Sequence, residues 1–475
     1  MTGTFTHLLC CCAAATTLAA CTDVKPIRTE MPSSTTSSAI PLPAPDTDPT
    51  TFLDCKTGHP ASIENHQIIE DYGTYLIGFA EFDDQGWAYD QDQHLRVIKD
   101  RIDAEVNADT NKDKDFLVLV FVHGWHHNAH DNDCNVQEFR QMVQIAANGL
   151  ETGIDNGFLK THRRVIGIYV GWRGESVNAA LLRYFTVVDR RDAAERVAKG
   201  SVRQLFADLR QAQRSAQQKL VDGKPNPAKM RTVVMGHSFG GLIAFSAVSQ
   251  ATLNDLTESQ DQSPRYCDPS DPRIPGGRKS VWPDATILIN PAFEATRYQP
   301  FDRLMKARET LPACIPPVHS THRLVVPHVI VVTSQTDRWT GPVFTVGRSL
   351  STLFEAYDRT SDSATRRERT SNLHAIGFVK SYETHHLDLT PTNPTDPRSP
   401  GKKAAATLVT GHKQSIPFET PVWVVTASDD IVHGHDGFLF SRIVKHEPPK
   451  PYLANWLLDL YDMDCSAAPQ SVNCP

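Results

Sequence analysis

The chain contains 475 residues, and its 48 Lys and Arg against 55 Asp and Glu give a formal net charge of −7. This length suffices to bury a large core and suits an α/β enzyme that carries insertions. Because the charges are well mixed and form no basic run, the composition argues against nucleic acid as a partner.

The N-terminus is typical of an export signal. Residues 8–21, LLCCCAAATTLAAC, are apolar and mostly small, and the run is too short to span a membrane. Its ending resembles the cleavage box of bacterial lipoproteins, in which the cysteine is acylated. The resemblance implies a signal peptide over residues 1–20 and a lipid on Cys21, which anchors the protein in the bacterial cell envelope on its periplasmic or outer side. An ordinary secretory signal, and therefore a secreted protein, is the alternative.

A tether is expected after the signal. Residues 21–52 are dense in Pro, Ser and Thr and poor in large apolar residues, so they cannot bury enough surface to fold. The globular domain is then expected over residues 53–475. Six cysteines follow the signal: Cys55, Cys134, Cys267, Cys314, Cys465 and Cys474. An even number in an exported chain indicates disulfides, and Cys465–Cys474 and Cys267–Cys314 are the pairs that we favour.

Apolar runs alternate with helix-length segments through the rest of the chain. Strands are predicted at 74–82, 116–122, 164–172, 231–236, 284–293, 327–337 and 421–430, and helices at 92–106, 192–220 and 240–253. Continuous apolar runs such as FLVLVFV suit strands that are buried on both faces. The order predicts an α/β fold with a doubly wound, mostly parallel sheet. Residues 254–282 and 355–415, rich in Pro, Ser, Thr and charge, are expected to be insertions that form lids or surface loops.

The fourth strand runs directly into a GxSxG sequence. Gly236 and Gly240 flank Ser238, and helix-forming residues follow at once. A nucleophile elbow holds its serine in a strained turn between a strand and a helix, so small residues are needed on both sides. This context favours a catalytic Ser238 over a glycine-rich turn that carries an incidental serine.

A catalytic serine needs a base and an acid that orients the base. Asp337 follows one of the later predicted strands, and His433 and His435 follow the last. The carboxyl ends of parallel strands meet at one edge of a sheet, so these side chains are expected to lie near Ser238. Asp429 and Asp430 precede the histidines closely and are expected to cap and solvate a turn.

These motifs resemble the α/β-hydrolase superfamily over about residues 70–445. FVHGWHHN, TSQTDRWTG and VHGHDGF are similar to motifs of a bacterial esterase/lipase-like branch. The resemblance implies the α/β-hydrolase fold and assigns Ser238 as nucleophile, Asp337 as acid and His435 as base, with His433 as the alternative base. A segment like AIGFVKSYETHHL, at 375–387, also occurs in relatives. We expect it to lie over the active-site mouth or to form an ordinary surface segment.

Acyl transfer also requires donors for the developing oxyanion. The backbone N–H groups of Phe239 and Trp125 are the expected pair, the second from the loop after the strand 116–122. His123 is expected to brace that loop, and His237 to pack or bond locally. The loop's polar cluster of His126, His127, His130, Asp131 and Asp133 fits no recognised zinc spacing, so no metal is predicted. A G-x-G-x-x-G turn and a P-loop are both absent from the sequence, and no cofactor is predicted.

The sequence therefore predicts a serine hydrolase that acts on a carboxylic ester, either a small molecule or a lipid. Peptidase or acyltransferase activity on the same triad is one alternative, because triad residues do not select the substrate. A non-catalytic envelope protein that uses the fold for interaction is the other.

Overall fold

The computed structural model describes residues 25–32, 65–155, 162–174, 183–221, 224–225, 229–261, 281–309, 327–357, 361–391, 404–410, 421–435 and 452–462. Twelve strands occur in these ranges: β1 (Ile69–Asp71), β2 (Tyr75–Phe82), β3 (Asp115–Val122), β4 (Arg163–Trp172), β5 (Leu220–Val221), β6 (Lys224–Pro225), β7 (Met230–His237), β8 (Ala285–Ile289), β9 (Val329–Ser334), β10 (His385–Pro391), β11 (Ala404–Thr410) and β12 (Val422–Ala427).

The same ranges contain nine α-helices: α1 (Tyr89–Asn107), α2 (Cys134–Asp155), α3 (Arg183–Lys199), α4 (Val202–Gln218), α5 (Phe239–Asp261), α6 (Gln299–Glu309), α7 (Phe344–Ser351), α8 (Asp362–Leu373) and α9 (Tyr452–Asp462). A π-helical turn (Trp339–Val343) precedes α7, and a short 3₁₀ turn (Ile376–Phe378) precedes β10. No helix in the described part of the chain combines the length and apolarity needed to cross a bilayer.

One mixed sheet organises the domain. Its strand order is β1-β2-β4-β3-β7-β8-β9-β12-β10-β11, and β5 pairs separately with β6. The neighbours from β2 to β10 pair in parallel, whereas β1 and β11 pair antiparallel at the two edges. Strands β2 and β3 are buried along their full length, because helices cover both faces of the sheet and bury two apolar clusters. The predicted α/β fold with a doubly wound, mostly parallel sheet is confirmed.

The predicted helix over 192–220 is instead two helices. α3 ends at Lys199 and α4 begins at Val202. Between them, Gly200 lies so close to the backbone of Gly86 that a Cβ would overlap it, and the N–H of Ser201 donates to the Gly86 carbonyl at 2.7 Å. The break follows from this tertiary contact, which an amphipathic pattern does not reveal.

The two predicted insertions also differ from the structure. α5 continues to Asp261, and Asp255, inside the first expected insertion, is buried and pairs with Arg210 at 2.7 Å. The second expected insertion contains α8 and two strands of the main sheet, with β10 parallel to β12. The sequence HHLDLTP alternates polar and apolar residues, as suits a strand near a sheet edge, and so lacks the continuous apolar run of the central strands.

Part of the predicted tether is packed on the domain. Arg28 is fully buried, and its guanidinium pairs with Glu70 at 2.8 Å and with Asp131 at 2.7 Å. The N–H groups of Ile27 and Arg28 both donate to the Glu81 carboxyl group. Composition did not reveal this packing because the polar contacts of Arg28 contribute much of it, and these leave no apolar pattern in the sequence. Of residues 1–64, the structure describes only 25–32, so Cys21 lies outside the described residues. Both favoured disulfide pairs also lie outside them.

Candidate active site

Ser238 occupies the turn between β7 and α5. Its φ of 54° is in the left-handed region, and its N–H donates to the carbonyl of Ile289 on β8 at 3.1 Å. A Cβ at Gly236 would overlap the backbone of Gly240, and one at Gly240 would overlap the carbonyl of Val122 on β3. The strained serine therefore depends on glycine at both positions, as a nucleophile elbow requires.

The structure brings Ser238, His435 and Asp337 into one chain of hydrogen bonds. His435 Nδ1 donates to Asp337 Oδ2 at 2.9 Å, and His435 Nε2 lies 2.9 Å from Ser238 Oγ, from which it accepts. Ser238 follows β7, His435 follows β12 and Asp337 follows β9. These strands are parallel, so their carboxyl ends lie at the same edge of the sheet. The imidazole is thus set to remove the serine proton, with a carboxylate holding its other nitrogen.

Asp337 is buried yet favours its charged form. Burial alone would raise the pKa of this carboxyl group, but hydrogen bonds and charge from His435, and donation by Thr340, outweigh it and lower the pKa. Asp337 Oδ1 accepts from the N–H groups of Trp339 at 2.8 Å and Thr340 at 3.2 Å, and the Thr340 hydroxyl donates to Oδ2. The carboxylate is therefore available to stabilise an imidazolium.

The alternative base lies apart from the serine. His433 Nδ1 pairs with Asp429 Oδ2 at 2.8 Å, and the His433 side chain is 49 % exposed. The hydroxyl of Thr336 also donates to Asp429, and hydrogen bonds from Thr336 and His433 outweigh burial to lower the Asp429 pKa. The geometry therefore separates the two histidines, because of these two only His435 forms a hydrogen bond with the Ser238 hydroxyl.

Two buried side chains hold the backbone of His435. His237 Nε2 donates to the His435 carbonyl at 2.8 Å, across 198 residues of sequence, and its buried ring packs against that of His435, with centroids 5.0 Å apart. Burial, with repulsion from His435, lowers the His237 pKa well below its usual range, so His237 is a neutral donor. Asn290 Nδ2 donates to the carbonyls of Gly434 at 3.0 Å and His435 at 3.2 Å.

Asn290 was not identified from the sequence. It follows β8 with a φ of 43°, is fully buried, and accepts the N–H of Ser334 at 2.8 Å. It therefore ties the turn that carries His435 to the end of β9, which precedes Asp337. The sequence INPAF contained a signal for it, because Asn290 is a polar residue at the carboxyl end of a buried strand, directly before a proline.

The two proposed oxyanion donors belong to segments that lie next to the serine. Phe239 is the first residue of α5, and Trp125 belongs to the loop after β3. A Cβ on Gly124 would lie 2.9 Å from His237 Nδ1 and 3.1 Å from the Cβ of Ser238, so this loop passes close to the serine and leaves little room for a side chain. Among the described residues, the backbone N–H groups of Phe239 and Trp125 have no backbone acceptor, as groups reserved for a substrate oxygen would.

A neutral histidine supports the loop that carries Trp125. His123 Nδ1 donates to the Gly124 carbonyl at 2.8 Å, and Nε2 accepts the N–H of Trp172 at 2.9 Å. Acceptance at Nε2 requires the uncharged ring, and burial lowers the His123 pKa to about 4. Further along the loop, His127 pairs with Asp133 at 3.0 Å, whereas Asp131 binds Arg28 and Arg140. Within the described ranges, no group of three or more His, Cys, Asp or Glu is arranged to hold a metal ion.

The segment 375–387 lies beside the loop of Asp337. Gly377 contacts Thr333 of β9 closely, and the ring of Phe378 lies against Gly341. Its last residues form the start of β10, where His385 is buried and its ring packs on Trp423 at 4.8 Å between centroids. The segment therefore supports the loop of Asp337 and does not form a plain surface loop.

Comparison with known proteins gives only remote likenesses. No protein-family model matches the chain, and no curated protein matches it. A structure of phospholipase PlaB from Legionella pneumophila shares 14% identity at a TM-score of 0.26, covering 72% of this chain and 59% of that one. Its complex with thio-NAD shares 16% identity at a TM-score of 0.24, with 72% and 58% covered. The chain thus spans less than two thirds of the length of the phospholipase that it matches.

Proposed function

We propose that the protein is a serine hydrolase that cleaves carboxylic esters through an acyl-enzyme. The observation that carries the proposal is the hydrogen-bond chain from Ser238 Oγ through His435 to Asp337, with 2.9 Å at each step around the imidazole. Side chains from three strand ends, up to 197 residues apart, meet in the order that proton transfer requires. A fold used only for interaction has no need of that order.

Acylation begins at Ser238. His435 Nε2 takes the hydroxyl proton as Oγ forms a bond to the ester carbonyl carbon, and the carbonyl oxygen becomes an oxyanion. The N–H groups of Phe239 and Trp125 donate to that oxygen. When the C–O bond to the alcohol breaks, the imidazolium returns its proton to the leaving oxygen. Asp337 stabilises the imidazolium throughout.

Deacylation repeats these steps with water. His435 takes a proton from the water, whose oxygen attacks the acyl carbon, and Ser238 leaves as the proton returns to Oγ. The carboxylic acid is then released. Each step uses a general base 2.9 Å from the serine oxygen and a carboxylate that hydrogen bonds keep ionised.

We also propose that acylation of Cys21 anchors the enzyme to the bacterial cell envelope. The proposal rests on the lipoprotein-like signal, and the packing of Arg28 adds a constraint to it. Cys21 precedes Arg28 by seven positions. Seven extended residues span at most about 25 Å. An acyl chain on Cys21 would therefore hold the domain directly at the membrane, and mass spectrometry of the detergent-extracted protein tests for that lipid.

A fluorophosphonate probe tests the proposed function. We expect rapid labelling of the purified protein, with the adduct mapped to Ser238 by mass spectrometry and lost in Ser238→Ala. His435→Ala should slow labelling by about a thousandfold or more, because the serine loses its base. His433→Ala is the matched control: it removes a histidine two positions away and should leave the rate within a few-fold of wild type. Ester and amide panels then separate esterase from peptidase activity.

Equal loss of labelling in the His433 and His435 variants would overturn the assignment of the base. Folded protein without labelling at Ser238 would overturn the proposed chemistry. Circular dichroism and thermal melts of each variant establish that the protein is folded.

A further inference from the structure

A ridge of apolar side chains projects into solvent directly after the loop of Asp337. We call this set the apolar ridge: Trp339 (37 % exposed), Val343 (46 %), Val346 (61 %), Leu350 (67 %), Leu353 (68 %) and Phe354 (101 %). It accounts for six of the eight large apolar side chains that are exposed in the described residues. Contiguous exposed apolar surface of this kind marks an interaction site.

The side chains of the apolar ridge do not pack into the hydrophobic core. α7, which carries its middle, has no buried residue. Polar contacts hold the helix instead: Arg348 pairs with Glu294 at 3.0 Å and donates to the side chain of Asn372 at 2.8 Å. The buried Thr352 ends the helix and donates to the Arg348 carbonyl at 2.7 Å. The molecule therefore presents these apolar side chains on a fixed support.

The ridge is continuous with the candidate active site. The N–H of Trp339, its first residue, donates to Asp337 Oδ1 at 2.8 Å. The Trp339 ring packs edge-on against Trp125, with centroids 5.7 Å apart, and Trp125 supplies one of the proposed oxyanion donors. One end of the ridge is thus part of the surroundings of Ser238, and whatever covers the ridge lies beside the reacting serine.

Basic residues flank the ridge. α8 packs beside α7 and exposes Arg366, Arg367 and Arg369. None of these three has an ion-pair partner among the described residues. Within the described parts of 338–382, six Lys and Arg stand against three Asp and Glu, in a chain whose net charge is −7. An apolar face bordered by cations is the pattern that binds the interface of a membrane with anionic headgroups.

We infer that the apolar ridge docks the protein onto a lipid surface that carries anionic headgroups, with the mouth of the active site facing the lipid. The inference deepens the proposed function and rests on it in one respect, because it assigns lipid esters as the substrate class. A lipid surface fits better than a second copy of the chain. The ridge ends in the fully exposed Phe354, which suits insertion between headgroups. On the neighbouring helix α8, three Arg outnumber two Asp and Glu, which favours an anionic partner over a second copy of the same chain.

Vesicle flotation tests the docking surface. The protein is the full chain with Cys21→Ser in every sample, so that no acyl group contributes, and the vesicles are phosphatidylcholine with or without phosphatidylglycerol. We expect binding to vesicles with phosphatidylglycerol, and a loss of about tenfold or more in the triple variant Val346→Ser/Leu350→Gln/Phe354→Ser. Trp87→Gln is the matched control, because Trp87 is 70 % exposed but follows β2, five strands away from β9.

Activity adds a second readout. The triple variant should hydrolyse a water-soluble monomeric ester at the wild-type rate, and lose rate only on an ester presented in vesicles. Equal vesicle binding by the triple variant and its parent would overturn the docking surface. A parent that is a dimer in sedimentation velocity, with a monomeric triple variant and no vesicle binding by either, would overturn it in favour of a second copy.

The docking surface and the catalytic assignment fail separately. Fluorophosphonate labelling of Ser238 needs no lipid, and vesicle binding needs no active serine, so Ser238→Ala should bind vesicles as its parent does. Ridge-dependent binding without labelling would contradict the proposed function alone.

Discussion

The side-chain amide of Asn290 donates to the backbone carbonyl of His435 at 3.2 Å, across 145 residues of sequence. The same amide group donates to Gly434, and its oxygen accepts the N–H of Ser334. Asn290 thereby connects the turn of the proposed base to the strand that leads to the acid. The position of the imidazole relative to Ser238 thus depends on a residue that does not touch the reacting atoms.

Replacing Asn290 should impair turnover more than substrate binding. We expect Asn290→Gly to lower kcat by about 10- to 100-fold with little change in KM, because the imidazole loses its fixed position. Glycine tolerates the φ of 43°, so this variant isolates the lost amide from backbone strain. Asn290→Asp should be worse, because its carboxylate would face two carbonyl oxygens. Steady-state kinetics on a soluble ester provide the measurement, and an unchanged kcat in Asn290→Gly would exclude the positioning role.

The carboxylate of Asp337 and the hydroxyl that donates to it should both affect kcat. We expect Asp337→Asn to lower kcat by about 10⁴-fold, because an amide in its place favours the wrong imidazole tautomer. Thr340→Val removes only the hydroxyl that donates to Asp337, and should lower kcat by about tenfold. Thr340→Ser keeps the hydroxyl and is the matched control. Wild-type kinetics in Thr340→Val would show that the hydroxyl bond contributes nothing to catalysis.

The buried His123 predicts a pH-dependent contribution to stability. Its pKa falls from an ordinary 6.5 to about 4 in the folded protein, so the unfolded chain binds the extra proton first as the pH falls. The contribution of His123 to the free energy of unfolding is complete above pH 6.5, and it is lost as the pH falls towards 4. By pH 5 the loss amounts to about 2 kcal/mol.

His123→Gln measures this contribution by difference. We expect the variant to reduce the free energy of unfolding by about 2 kcal/mol more at pH 7.5 than at pH 5, in urea titrations. The comparison of variant with wild type is needed because other buried groups also make stability depend on pH. Burial raises the pKa of Glu81 to about 7 and that of Asp284 to about 6, so these two groups lower the free energy of unfolding as the pH rises. His130→Gln, a partly exposed histidine of the same loop, is the control. A pH-independent difference for His123→Gln would contradict the prediction.

Arg28 should anchor the N-terminal segment. Its fully buried guanidinium binds Glu70 and Asp131 and lies 3.8 Å from the centroid of the Phe79 ring. Arg28→Ala should lower the free energy of unfolding by about 3 kcal/mol, because the buried Glu70 and the partly buried Asp131 lose a counter-charge, although Arg140 still pairs with both. The exposed Lys25→Ala is the control, and thermal melts compare the two. Equal stability of both variants would show that the segment is only loosely attached.

Local patterns were sufficient for the central strands of the sheet and for the proposed nucleophile, but not for β1, β10 and β11. Strands β2, β3 and β4 are nearly continuous apolar runs because both of their faces are buried, and their bounds were predicted to within one residue. The predictions for β8, β9 and β12 continued three or four residues past the carboxyl ends of these strands. The elbow needs glycines at 236 and 240, and that steric requirement is visible in five consecutive residues. The convergence of carboxyl strand ends at one edge of a parallel sheet predicted that Asp337, His433 and His435 lie near Ser238, and the resemblance to the α/β-hydrolases favoured His435 over His433.

Tertiary contacts decided what the patterns left open. His433 and His435 have similar local sequences, and only the position of the turn relative to Ser238 and Asp429 separates them. The role of Asn290 and the packing of Arg28 depend on partners far away in sequence, held by polar bonds that leave no periodicity. The break at Gly200 has the same origin. Sequence periodicity records which residues are buried, whereas the partners of a buried polar group are set by the path of the whole chain.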